Sequence, residues 1–174
     1  QSTGSMSISQ NIVQLKASLP ANVTLVAVSK FHPAEALMEA YNAGQRVFGE
    51  SRAQELTAKQ KVLPGDIEWH FIGPLQSNKV KDIAPFIHTI HSIDSLKLLQ
   101  EVNKQAAKNN RIIRVLLEIH VAQEETKHGL SPDECRELLQ NEQLAELGNI
   151  QICGLMTLLS SNRNFTSYMN FSAN

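Results

Sequence analysis

Val23-Thr24-Leu25-Val26-Ala27-Val28-Ser29-Lys30 is the stretch on which the fold turns. Its apolar and β-branched residues run without the strict alternation of a half-exposed strand, which is the pattern of a strand covered on both faces, as in parallel sheets flanked by helices. A lysine closes the run. Pro33 follows, then a helix-compatible segment from Ala34 to Asn42 that stops at Gly44. Proline suits a first helical turn and glycine a C-cap, so the pattern reads strand, turn, helix.

The same beat extends in both directions. A leading helix is expected from Ile8 to Ser18. Downstream come a brief strand at Arg46-Val47-Phe48, a polar helix from Ser51 to about Val62 ended by Pro64-Gly65, and a strand from Ile67 to Ile72. Gly73-Pro74 makes the next turn, Gln76 to Ala84 a short helix, and Phe86 to Ile90 a fourth strand. Ile93 to about Asn109 reads as an amphipathic helix, Ile112 to Val121 as a strand, Pro132 to Leu147 as a helix and Ile150 to Leu155 as a sixth strand. Strands alternating with helices imply βαβ units and a parallel sheet. Neither a G-x-G-x-x-G turn nor a P-loop follows a strand, so an α/β barrel of the TIM type is favoured over an open nucleotide-binding sheet. A full barrel of this kind takes about 250 residues. In a chain of 174, about six strand units make an incomplete barrel. Its open flank leaves backbone and apolar surface to be covered, by self-association or by a rearranged edge.

Composition narrows the function. With 42% hydrophobic residues the chain can bury one sizeable core, and 16 basic against 17 acidic residues give no clustered charge for nucleic acid or a membrane surface. No apolar stretch approaches the length of a membrane span. The two cysteines, Cys135 and Cys153, form no metal or redox motif and suit a reducing cytoplasm, although their pairing stays open. Gln1 to Ser5, ahead of Met6, read as a remnant of expression cloning without the basic or apolar regions of a signal peptide.

Lys30 is the first chemistry-bearing candidate. In such folds the ligand site lies outside the carboxyl ends of the strands, and a lysine leaving an apolar wall is partly desolvated, which favours the neutral, nucleophilic amine. A solvated lysine at a strand end has the same spacing. Trp69-His70-Phe71-Ile72-Gly73-Pro74-Leu75-Gln76-Ser77-Asn78-Lys79 is the second concentration, where a strand hands over to a helix. Its Gly-Pro turn lets backbone approach a ligand, and its polar residues suit either a helix cap or a bound group. His70 can line a pocket or act as a structural histidine. His88 and His91 are expected to bracket the end of the fourth strand and are not read as a metal pair; no metal ligands are assigned. Glu50 and Arg52 follow a strand and fall on the same rim as Lys30, or make only helix-dipole and solvent contacts.

Ala27-Val28-Ser29-Lys30, Phe48-Gly49-Glu50 with Gln54-Glu55, the His70-to-Lys79 string, His88-Thr89-Ile90 and Gly154-Leu155-Met156 resemble, in order and spacing, the pyridoxal phosphate homeostasis protein family. This family is also called the proline synthase co-transcribed homologues and is related to the amino-terminal barrel domain of alanine racemase. The resemblance runs from about Val23 to Thr157 and implies a partial barrel over residues 6–157. It also implies pyridoxal phosphate held as an imine on Lys30, in a protein that stores, delivers and buffers the cofactor. It places Ser51 where the family usually has an asparagine near the cofactor, and Met156 in a wall of the pocket. Residues 158–174 match none of the family's later serine- and glycine-rich loops and read as an irregular tail, which implies a weak grip on the cofactor's phosphate.

Three functions follow. The first is a non-catalytic cofactor carrier. A second is an amino-acid racemase, which needs a second base, usually a tyrosine; Tyr41 and Tyr168 are the only tyrosines. The third is a cofactor-independent lyase that forms its imine with substrate at Lys30.

Overall fold

A computed structural model describes residues 7–120 and 129–157 of the chain. The alternation of strands and helices is as expected: α1 (Ile8–Ser18), β1 (Ala27–Val28), α2 (Ala34–Asn42), β2 (Val47–Glu50), α3 (Ala53–Val62), β3 (Glu68–Phe71), α4 (Val80–Ile83), β4 (Thr89–Ile93), α5 (Leu96–Lys108), β5 (Ile113–Ile119), α6 (Pro132–Leu139) and β6 (Ile150–Thr157). Single 3-10 segments precede α4 (Ser77–Lys79) and follow α6 (Glu142–Glu146). The six strands pair in sequence order, β1-β2-β3-β4-β5-β6, and every pair is parallel. Parallel neighbours joined by crossovers make an incomplete (β/α) barrel, with β1 and β6 each paired on one side among the described residues.

Alternation along the strands separates two faces. In β5, Ile113, Val115 and Leu117 are fully buried while Arg114, Leu116 and Glu118 between them are only partly so. The first set meets the helices, and the other set points into the barrel. Phe48, Trp69 and Phe71 belong to the helix-facing set and pack with Leu56 of α3 and Val80 and Ile83 of α4 in the core. The rings of Phe48 and Trp69 lie 6.0 Å apart. The helices start where the sequence supplies caps: Ser7 and Ser131 form capping boxes with Gln10 and Glu134, and Ser95 caps α5. Gly44 ends the chain's turn after α2 at φ +100°, a backbone angle that glycine adopts without a Cβ clash.

Several boundaries differ from the sequence expectation for physical reasons. β1 is two residues long rather than the whole of Val23 to Ser29, because only Ala27 and Val28 pair with β2 and, among the described residues, no second neighbour extends the ladder. The fourth strand begins at Thr89, not Phe86: Phe86 and Ile87 donate their N–H groups back to Ile83, which continues the turn after α4. Ile93 therefore ends a strand, and α5 starts at Leu96 behind its Ser95 cap. The helix expected over Pro132 to Leu147 stops at Leu139 and resumes as a 3-10 turn capped by Asn141. Val121, residues 1–5 and the tail 158–174 lie outside the described residues.

Candidate functional site

Lys30 emerges at the carboxyl end of β1, half-buried, on a rim shared with the end of β2 and the loop after β3. Two further ladder bonds carry the sheet up to that rim: Ser29 N–H donates to the Gly49 carbonyl at 3.0 Å and Ile72 N–H to the Glu50 carbonyl at 2.8 Å. Val28 pairs with Gly49, and Gly49 with His70. Alternation then places Lys30 and Ser51 on the inner face above that row. Ser51 touches the next loop directly. A Cβ added to Gly73 would meet the Ser51 carbonyl oxygen at 2.7 Å and its Cα at 2.9 Å, so only glycine allows the turn after β3 to lie against the end of β2. Met156 is buried in β6, at the opposite edge of the sheet, where it pairs in register with Glu118.

The turn that carries Lys30 is braced from the helix side. Glu50 is fully buried, and its Oε1 accepts from Ser29 Oγ at 3.0 Å and from Lys59 Nζ at 2.5 Å. Lys59, in α3 and itself buried, also donates to the Ser29 carbonyl at 2.8 Å and to Glu55 Oε1 at 2.8 Å. Glu55 in turn accepts from the Phe31 N–H at 2.7 Å. Phe31 stands at φ +65°, an unusual angle for a non-glycine residue, with the Arg52 guanidinium 4.9 Å over its ring. Burial raises the pKa of Glu50, and the bond and charge of Lys59 offset this only in part. At Glu55 burial also opposes ionisation, but the bonds from Lys59 and Phe31 outweigh it and hold the pKa low.

A second network lies on the inner face. His70 Nδ1 is 2.7 Å from His91 Nε2, and His70 Nε2 is 2.9 Å from Glu68 Oε2. Both ring nitrogens of His70 are thus engaged by the chain's own side chains. His88 stacks on His70 with ring centroids 5.5 Å apart and reaches Glu68 Oε1 at 3.2 Å. The His70 bond holds the pKa of Glu68 low. Burial pushes His91 down to about 3, with the neighbouring His70 adding to it. Glu68, His70 and His88 bring one donor atom each within 4.8 Å of one another, the one such group among the described residues. Arg114 and Arg111 bear on the same groups, so the chain supplies its own cations to Glu68 and His88. His91 lies inside β4 rather than beyond it, and its partner is His70, not His88.

Two other strands end in buried hydroxyls. The Oγ of Ser92 in β4 and the Oγ1 of Thr157 in β6 are buried without a hydrogen-bond partner among the described residues. A cavity of about 220 Å³ between α1 and the sheet is lined by Ile12, Ala27, Leu37 and Phe48 and does not include Lys30.

Comparison with known proteins agrees with this geometry. The family model described as alanine racemase, N-terminal domain, matches residues 5–173. The pyridoxal phosphate homeostasis protein of Vibrio alginolyticus is 35% identical over 94% of this chain and 76% of its own length. The chain belongs to the pyridoxal phosphate homeostasis protein family. Its relative from Aquifex aeolicus is 45% identical over 77% of the chain, but the chain spans only 58% of that protein's length, and the same share of the relative from Schizosaccharomyces pombe. Among solved structures, PipY of Synechococcus elongatus, determined with PLP bound, superposes with a TM-score of 0.79 at 39% identity, covering 90% of this chain and 73% of PipY. The alanine racemase of Clostridium difficile, at 19% identity and a TM-score of 0.69, shares the fold.

Within this family frame, Lys30 and Ser51 fall on one rim, His70 below it on the same face, and Met156 at the far edge. The brace through Glu50, Glu55 and Lys59 is not anticipated from the sequence. Its signal is present: Glu55 and Lys59 are four residues apart on one helix, a spacing that pairs opposite charges on one face. The Glu68–His70 pair has a signal too, since residues two apart in a strand share a face.

Proposed function

We propose that this chain holds pyridoxal phosphate through Lys30 and serves cofactor homeostasis, storing and releasing the cofactor without turning over a substrate. The observation that carries the reading is Lys30 at the carboxyl rim of the first strand of an alanine racemase-like barrel, in a braced turn beside Ser51. Bound there, pyridoxal phosphate supplies an aldehyde that condenses with a neutral primary amine and loses water. Lys30 Nζ is the amine, Ser51 and Ser92 offer hydroxyls to a polar, anionic ligand, and Met156 adds apolar wall. His70, with both nitrogens engaged, supports the floor of the site through Glu68 and His91 rather than through a free ring nitrogen.

The racemase alternative needs a second base near Lys30. Tyr41 does not serve it: its hydroxyl donates to Asp66 Oδ1 at 2.5 Å and its ring lies under Arg46, both on the outside of the barrel. Tyr168 lies outside the described residues. Among those residues no helix is long and apolar enough to cross a membrane, and both cysteines are free. The near-neutral charge and the few cysteines suit a cytoplasmic protein, and the β1 and β6 edges, each paired on one side among the described residues and carrying the exposed Val28 and Leu155, favour self-association. The test is the near-visible absorbance of the chain with added pyridoxal phosphate, alone and as Lys30→Ala. A band that Lys30→Ala abolishes supports the reading; a band that survives the substitution overturns it, as does racemisation of an amino acid by the loaded chain.

A further inference from the structure

We infer that Glu55 and Lys59 are positioning residues for Lys30, fixing the direction in which its side chain leaves the end of β1. This rests on the reading of Lys30 as the cofactor-bearing lysine. A residue is joined to the chain by two rigid peptide planes, and anchoring both leaves its backbone little freedom. The plane before Lys30 is held through the Ser29 carbonyl, which accepts from Lys59 Nζ at 2.8 Å. The plane after it is held through the Phe31 N–H, which donates to Glu55 Oε1 at 2.7 Å. The two anchors are themselves bonded, Lys59 Nζ to Glu55 Oε1 at 2.8 Å, and Glu50 ties Lys59 to the Ser29 hydroxyl. The result is a closed ring of contacts around one residue, built from a single turn of α3 and the end of β2.

Two features separate this from an ordinary buried ion pair. The anchored atoms are main-chain groups, so the cluster acts on backbone direction as well as on fold stability. Phe31 at φ +65° also sits in a region that L-residues occupy at a cost. Its ring is largely solvent-exposed, and the Glu55 bond is the described contact that holds its amide. The His32 N–H donates to the Ser29 carbonyl at 3.1 Å, which closes a turn with Lys30 and Phe31 at its two central positions. Neither Glu55 nor Lys59 is placed in contact with the cofactor; both act through the Lys30 backbone.

The experiment compares the unmodified chain with Glu55→Ala and Glu55→Gln. Two quantities are read: hydrogen exchange of the Phe31 amide, and the rate and pH profile of forming a borohydride-reducible link between pyridoxal phosphate and Lys30, located by peptide mass. Glu55→Ala should free the Phe31 amide to exchange and slow labelling of Lys30 by about ten- to a hundredfold, the cost of misplacing a reacting group by an ångström or so. Glu55→Gln keeps an acceptor oxygen and should restore much of both. Alanine is well tolerated in a helix and Glu55 is partly exposed, so the variant should fold. Labelling of Lys30 at the unmodified rate and pH profile in Glu55→Ala would overturn the positioning role while leaving the functional reading intact. No label on Lys30 in the unmodified chain would overturn the functional reading, and this inference with it.

Discussion

Two polar networks lie on opposite faces of neighbouring strands, one at the ends of β1 and β2 and the other across β3 and β4, and they are built from different chemistry. Toward the helices, Glu50, Lys59 and Glu55 pair a buried ammonium with carboxylates and brace the turn at the carboxyl rim. Toward the barrel interior, Glu68, His70, His91 and His88 form a chain of imidazoles around one carboxylate. The first needs its charges: an ammonium left buried without its carboxylate, or the reverse, is strongly disfavoured. The second is built from imidazoles, whose ring nitrogens can exchange donor and acceptor roles. The difference separates a fixed scaffold from an adjustable floor, and the candidate cofactor lysine stands on the scaffold.

The largest expected effect comes from breaking the outer network. Lys59→Met should cost about 3–5 kcal/mol of stability, because Glu50 is left buried without its cation. Combining it with Glu50→Gln should recover a large part of that loss. Denaturant melts of the two single variants and the double form a thermodynamic cycle; additive losses would mean that the two side chains do not act as a pair.

Next comes the contact that seats the loop after β3. Gly73→Ala should cost about 1–3 kcal/mol, since the new methyl meets Ser51 backbone rather than a movable side chain. Gly65→Ala, with open space around its Cα, should change stability little and serves as the control in the same melts.

The inner network makes a pH prediction. His91 resists protonation down to about pH 3 in the folded chain, chiefly through burial, and its ordinary value is 6.5. Between those values the unfolded chain binds the extra proton, so the stability contributed by neutral His91 is complete above pH 6.5 and is lost as pH falls toward 3. At pH 5 the loss from this residue should be roughly 2 kcal/mol. Unfolding midpoints measured from pH 7 to pH 4 should fall less steeply in His91→Gln, which keeps a donor toward His70; parallel curves for the two proteins would remove His91 from the account. The smallest effect is at the surface: Arg52→Ala should cost about 0.5–1 kcal/mol, the worth of an exposed cation–π contact with Phe31.

The layered fold is legible because its signals are local and redundant. The run from Val23 to Val28, Pro33 and Gly44 each mark an element or its end, α2 falls where those signals put it, and α1 spans the segment expected from Ile8 to Ser18. Whatever depends on a neighbour is not legible in this way. β1 is shorter than its apolar run because pairing with β2 alone sets its length. The strand expected to start at Phe86 starts at Thr89 because a turn bond to Ile83 claims Phe86 and Ile87. At the site, Lys30 is readable from its place after a strand. Glu50, by contrast, reads as a rim or solvent residue, since only the packing of α3 on the sheet shows that Lys59 meets it. His70 and His91 lie on different strands, so their 2.7 Å contact depends on the register of β3 against β4, which no local pattern specifies.

The most direct test of the central claim is to reduce the chain with borohydride in the presence of excess pyridoxal phosphate, digest it and map the modified peptide by mass. Labelling at Lys30, with Lys59 and Lys79 unmodified, is the predicted result, because Lys59 is locked into its carboxylates and Lys79 ends a turn outside the braced rim. Label spread evenly over the exposed lysines, or absent from Lys30, would contradict the assignment of this rim as the cofactor site.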